Sequence, residues 1–218
     1  MPVHLHVELE KIKKRILSLG AMVENRVRMA IKAIELRDAD IARQIVKSDY
    51  EIDGIEVEIE EECLKILALH QPVAVDLRFL IAVIKINNDL ERIGDEAVNI
   101  AQRLEHIAKH EKLDLSFDFS LMAEKAASML KQSLDALVHL DSDLAFKVCS
   151  LDDEVDSLDA GIYNLVTDSI PDNLGHLEYF ISKLLISRYL ERIADHATNI
   201  AEEVIYLVEG QIIRHGRY

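Results

Sequence analysis

Tryptophan is missing from this chain, and glycine and proline are scarce: no Trp, 7 Gly and 3 Pro in 218 residues. Only 5% of residues are aromatic. Sheet proteins lean on aromatic and β-branched strands and on Gly- and Pro-rich turns, so a sandwich or barrel is disfavoured. There are two cysteines, Cys63 and Cys149, both inside helical patterns. They are too few for a disulfide framework and read as small core residues of a chain in a reducing cytoplasm. Basic residues are outnumbered 25 to 40, a net charge of −15, which would repel a nucleic-acid backbone. The longest apolar run, Phe79 to Ile84, falls far short of the ~20 residues of a membrane span. Membrane contact is therefore expected only through a partner. The N-terminus has no basic region followed by an apolar core, so no secretory signal is expected. No glycine-rich phosphate loop, nucleophile elbow or zinc-protease helix occurs, and an enzyme is not expected.

Half the residues are hydrophobic, and Leu, Ile, Ala, Glu and Asp dominate, the composition of a helical bundle. Leu90-Glu91-Arg92-Ile93-Gly94-Asp95 returns as Leu190-Glu191-Arg192-Ile193-Ala194-Asp195, 100 residues later. A match of that length at a fixed offset means two copies of one unit. Val83, Ile86, Leu90, Ile93, Ala97 and Ile100 alternate steps of three and four, and Ile186, Leu190, Ile193, Ala197, Ile200 and Val204 repeat them. That is the seam of a packed helix.

In chain order, a first helix is expected from about Leu5 to Arg37, with Asp38 or Asp40 capping the next. A second runs from about Ile41 to Leu69. Pro72 interrupts the chain and starts a third, which reaches about Lys109. Lys109 to Ser116 reads as a linker. The second copy follows as helices over about 119–140, 142–167 and 176–209, ending at Gly210. The expected fold is all-α: six helices as two tandem, pseudo-symmetric three-helix bundles, residues 1–112 and 117–218.

Each unit carries two acidic strips. Asn88, Glu91, Asp95 and Asn99 fall together on one side of the third helix, away from its seam, and Glu191, Asp195 and Asn199 fall there on the sixth. Asp49, Asp53, Glu56 and Glu60 flank the apolar face of the second helix, and Asp152, Asp156 and Asp159 match the first three of these 103 residues later. Stacked like charges repel, and either solvation or an opposing cation relieves them. Two carboxylates one turn apart can hold an oxygen-preferring ion, such as Mg²⁺, Mn²⁺, Fe or Ca²⁺. No Glu-x-x-His di-iron signature is seen on these helices, which disfavours oxygen activation. His196 sits one residue off the strip. Arg92 and Arg192 read as surface partners of nearby carboxylates.

These motifs resemble the PhoU family of phosphate-transport and phosphate-signalling regulators. The resemblance spans nearly the whole chain. It is carried by Gln71-Pro72-Val73-Ala74-x-Asp76-Leu77-Arg78, by the two Leu-Glu-Arg-Ile-(Gly/Ala)-Asp stretches, and by Val208-Glu209-Gly210-Gln211 with Arg214-His215. It implies metal ligands at Asp49, Asp53, Glu91, Asp95, Asp152, Asp156, Glu191 and Asp195, with Glu56, Asn99, Asp159 and Asn199 as additional candidates. The implied cofactor is a multinuclear iron centre, with Mn, Mg, Zn or Ca as other guests. It further implies a cytoplasmic homodimer that meets a phosphate-specific ABC transporter and a sensor histidine kinase, and that holds the phosphate-starvation response and phosphate uptake off. A metal-dependent hydrolase of phosphate compounds and a metal-storage bundle are the alternatives. His70 stands where the family commonly has arginine, and the second copy shows Ile170-Pro171-Asp172-Asn173 instead of the Gln-Pro-Val-Ala turn.

Overall fold

The computed structural model describes residues 3–108 and 118–213. The linker expected at Lys109 to Ser116, with the unit boundary inside it, and the tail from Arg214 lie outside these residues. The fold is all-helical, as two three-helix units. The first has α1 (Val3–Leu36), a middle helix in two pieces, α2 (Ala39–Lys47) and α3 (Asp49–His70), and α4 (Ala74–Ile107). The second repeats this with α5 (Ser120–His139), α6 (Ser142–Cys149) and α7 (Asp152–Ser169), then α8 (Leu177–Glu209) after a 3-10 turn at Leu174–His176.

Both middle helices, expected to be continuous, are interrupted. At Ser48 (φ −95°, ψ 8°) the chain leaves the helical path. The Ser48 hydroxyl donates to the Ile45 carbonyl at 3.1 Å, and Arg26 Nη2 takes the Ser48 carbonyl, competing with the helix's own bonding. In the second unit the Ser150 hydroxyl donates to the Phe146 carbonyl at 3.0 Å. Each break starts a new helix with carboxylates in its first turn: Asp49 and Glu51, then Asp152, Asp153 and Glu154. Negative charge is favoured there by the helix dipole.

The remaining ends follow local chemistry. Asp38 accepts from the amides of Asp40 (2.8 Å) and Ile41 (3.1 Å), so it is the cap of α2. Helix α4 begins at Ala74 rather than Pro72, because Gln71 turns left-handed (φ 45°) and Val73 is extended. Gly210 closes α8 with φ 74°.

The seam of α4 and that of α8 are both buried, from Val83 to Ile107 and from Ile186 to Val204. These two helices make the most extensive pairing in the molecule and join the units. Polar contacts set their register: Lys85 Nζ to Glu203 (3.1 Å), Arg192 Nη2 to Glu96 (2.9 Å) and His196 Nδ1 to Asp89 (2.9 Å). Arg192, expected at the surface, thus reaches across the units to a buried carboxylate. Helix α1 meets α5 at Gly20, where a Cβ would lie 2.7 Å from Leu134 Cδ2.

Candidate metal centre

In each unit the broken middle helix lies along the long third helix, so their acidic strips meet. Asp49 and Asp53 on α3 come together with Asp95 on α4, one carboxylate oxygen from each lying within 4.8 Å of the others. Asp156 on α7 comes together with Glu191 and Asp195 on α8 by the same measure. The two sets occupy related places but are not copies: the first takes two groups from the middle helix, the second takes two from the third.

Glu91 and Asp152 stand beside these triads. Burial pushes the Glu91 carboxyl up, and Asp95, Glu56 and Asp53 add to it. Burial pushes Asp152 up to about 6, with Asp195 and Asp156 adding repulsion, although Thr198 Oγ1 donates to it at 3.2 Å. Burial raises Glu191 to about 7, helped by Asp195 and opposed by Arg188. Asp195 is raised by burial and then by Asp156, and Asp95 by burial and then by Asp53. Carboxylates crowded and buried in this way hold their protons more tightly, and a cation among them would relieve that repulsion.

The first cluster carries a cation of its own. Arg26, on α1 and 5% exposed, donates from Nη1 to Asp49 Oδ1 at 3.0 Å. Its counterpart 103 residues later is Met129, buried and uncharged. Burial is the larger influence on Asp49, which stays above its ordinary range, but Arg26 pulls it back. In the second cluster Arg188 pairs with Glu191 Oε1 at 2.7 Å from an exposed position, and His196, Arg188 and Arg192 all draw on Asp195 without overcoming its burial. Glu191 Oε2 is buried and has no hydrogen-bond partner among the described residues. A buried carboxylate oxygen without a donor costs free energy unless a cation or proton meets it. The oxygen-only donor set and this orphaned atom fit a hard or borderline metal ion.

The four additional candidates separate. Glu56 and Asp159 belong to the α3–α4 and α7–α8 contacts: Asn87 Nδ2 donates to the Glu56 carbonyl (2.9 Å) and Oε1 (3.3 Å), and the Ser187 hydroxyl donates to Asp159 at 2.6 Å. Asn99 and Asn199 point elsewhere. Asn99 donates to Glu96 and Asn199 to Asp89, both at 3.2 Å, at the junction of the units. Helical spacing places a residue on a side of its helix, but the neighbour on that side decides its partner. Arg26, Asn87 and Ser187 were not singled out from the sequence. Each is a polar residue at an otherwise apolar register of its helix, and that is the signal they offered.

The PhoU domain matches this chain twice, at residues 16–104 and 119–204. The chain belongs to the PhoU family. It is 37% identical over 205 residues to a phosphate-specific transport system accessory protein PhoU homolog of Clostridium acetobutylicum, covering 94% of each chain. It is 31% identical to the PhoU accessory protein of Escherichia coli, over 96% of this chain and 87% of that one. The crystal structure of PhoU from Pseudomonas aeruginosa superposes with a TM-score of 0.91 at 35% identity, over 94% of this chain and 99% of that one. The phosphate transport system regulatory protein PhoU from Streptococcus pneumoniae gives 0.84 at 28% identity, over 96% and 99%. No helix among the described residues is long and apolar enough to cross a membrane.

Proposed function

We propose that this protein is a cytoplasmic, metal-binding regulator that holds phosphate uptake and the phosphate-starvation response off when phosphate is plentiful. The observation that carries the reading is membership of the PhoU family through both units and nearly full length, with a carboxylate cluster in each unit. The helical surface serves as a scaffold between a phosphate-specific ABC transporter and a sensor histidine kinase. It favours one kinase state by binding that state more tightly, since equal affinity for both would shift nothing. The working form is a homodimer.

Asp156, Glu191 and Asp195, with Asp152 beside them, would hold metal in the second unit; Asp49, Asp53 and Asp95, with Glu91 beside them, would do so in the first. The ion, iron before manganese, magnesium, zinc or calcium, supplies positive charge that neutralises the crowded carboxylates. The chain's own residues set the difference between the clusters. Arg26 already answers part of the charge in the first, so the second is the stronger.

The test is a clean deletion in the native organism, grown at high phosphate, with a reporter of the starvation response. The reporter is expected to switch on and to be silenced again by the wild-type gene. A reporter that stays silent in a strain without a second PhoU gene would refute the regulatory role. Metal analysis of purified protein, against a variant with Ala at Asp156, Glu191 and Asp195, checks the metal role separately. Equal metal content in the two would refute it.

A further inference from the structure

The two units build the same turn and furnish it differently. After α1 and after α5 the chain closes in the same way. The Asp38 amide donates to the Ala33 carbonyl at 3.1 Å, and the Asp141 amide to the Ala136 carbonyl at 3.0 Å. Arg37 (φ 51°) and Leu140 (φ 52°) take the left-handed position, where glycine is the common occupant. Beside Leu140, the residues Ile16 and Phe79 line a groove of about 270 Å³ whose floor is largely apolar and whose rim carries His6, Glu10, Lys13 and Asp76. The equivalent residues in the other copy are Phe119 for Ile16, Tyr179 for Phe79, and Arg37 for Leu140; Lys183 is the equivalent of the fully buried Val83.

So two positions that are apolar in one copy, Leu140 and Val83, carry cations in the other, Arg37 and Lys183. The Lys183 ammonium lies 5.0 Å from the centre of the buried Phe119 ring and 5.4 Å from that of Tyr179. The Arg37 guanidinium acts on both Lys183 and Tyr179, and its Nη2 donates weakly to the Ile107 carbonyl at 3.4 Å. Among the described residues, neither Arg37 nor Lys183 is ion-paired with a carboxylate, in a chain of net charge −15. Burial first, and Arg37 second, bring the Lys183 ammonium down to about 8. Aromatic faces hold a cation, but they do not neutralise two of them side by side. The fold does not require the charges, because Leu140 and Val83 fill the related places without them.

We propose that Arg37 and Lys183 form a binding site for a doubly charged, phosphate-class oxyanion, walled by Phe119 and Tyr179. Charge matching selects the dianion, since one carboxylate would leave one cation unanswered. Arginine supplies a planar fork of donors and lysine a compact charge, the pair suited to phosphate oxygens. The apolar walls lower the local dielectric and strengthen both contacts. Free phosphate and a phosphate monoester share this chemistry. The site lies apart from the acidic clusters, and the proposal does not rest on metal binding or on the regulatory role.

The experiment is calorimetric titration of the full-length protein in EDTA, with inorganic phosphate and, separately, with AMP. The variants are Arg37→Leu and Lys183→Val, which install the side chains the other copy carries and so suit the fold. Wild type is expected to bind one anion per chain with a Kd on the order of 1 mM, and each variant about tenfold or more weakly. The variants' melting temperatures are expected to equal or exceed that of wild type, because an uncompensated charge is gone. Binding of phosphate alone assigns the free ion. Binding of AMP that both variants weaken assigns a phosphate monoester. Absence of binding to wild type up to roughly 20 mM of either anion, or binding that the double variant retains in full, overturns the proposal.

Discussion

Arg26 and Met129 occupy related places in the two units, and that difference puts a buried guanidinium at the first acidic cluster. A buried guanidinium beside Asp49 competes with any incoming cation, and because it is buried it cannot swing away into water. Arg26→Met is therefore expected to tighten divalent-ion binding at the first cluster by about tenfold, on the order of 1.4 kcal/mol. Met129→Arg is expected to weaken the second cluster in the same proportion. Two-site calorimetry reads both, and unchanged isotherms would remove Arg26 from the account. The ionisation of the second cluster gives a further test. Without metal, folded Asp152 and Glu191 keep their protons up to about 6 and about 7, above their ordinary values of 3.8 and 4.5. Through that window the folded state binds more protons than the unfolded one, so stability falls as pH rises. Metal-free protein is expected to melt higher near pH 5 than near pH 7.5, a difference that saturating divalent cation reduces. A melting temperature that rises over this range in EDTA would contradict it.

At the scale of elements, the long helices were legible because their apolar periodicity is sustained over many turns. The breaks at Ser48 and after Cys149 were not, since nothing in local propensity forbids a helix through Lys47-Ser48-Asp49. The interruption at Ser48 depends on Arg26, which belongs to another helix and reaches the Ser48 carbonyl. Pro72 does not itself begin α4: the turn is made by the left-handed Gln71 one residue earlier, and the helix starts at Ala74. Gly210 shows punctuation and packing acting together. It has φ 74°, and a Cβ there would run into the Arg78 guanidinium on α4. Gly210→Ala is expected to cost about 1–2 kcal/mol through strain and the displaced arginine. For a chain of this size that lowers the melting temperature by roughly 2–8 °C, measured by circular dichroism. No shift would mean that the end of α8 yields freely.

At the scale of the molecule, the units are two copies but not two independent bodies. Helix α4 packs on α8 more extensively than on any partner inside its own unit. The contact buries Glu96 and Glu203 against Arg192 and Lys85. A chain cut to residues 1–112 loses that partner and exposes the α4 face. It is expected to lack the cooperative calorimetric melt of the full chain. A half-chain melting as sharply as the whole would show that each unit is self-sufficient.

The sequence by itself determined the helical class, the two-fold repeat, the buried seams and the family, because these follow from periodicity and motif. Both are properties of residues near one another along the chain. It also placed the carboxylates on their strips. Only the tertiary structure decided which carboxylates meet, that Asn99 and Asn199 turn to the junction of the units instead, and that one cluster holds a guanidinium where the other holds a thioether. Those outcomes depend on side chains from helices distant in sequence arriving at the same point. Spacing along one helix carries no information about what stands opposite it.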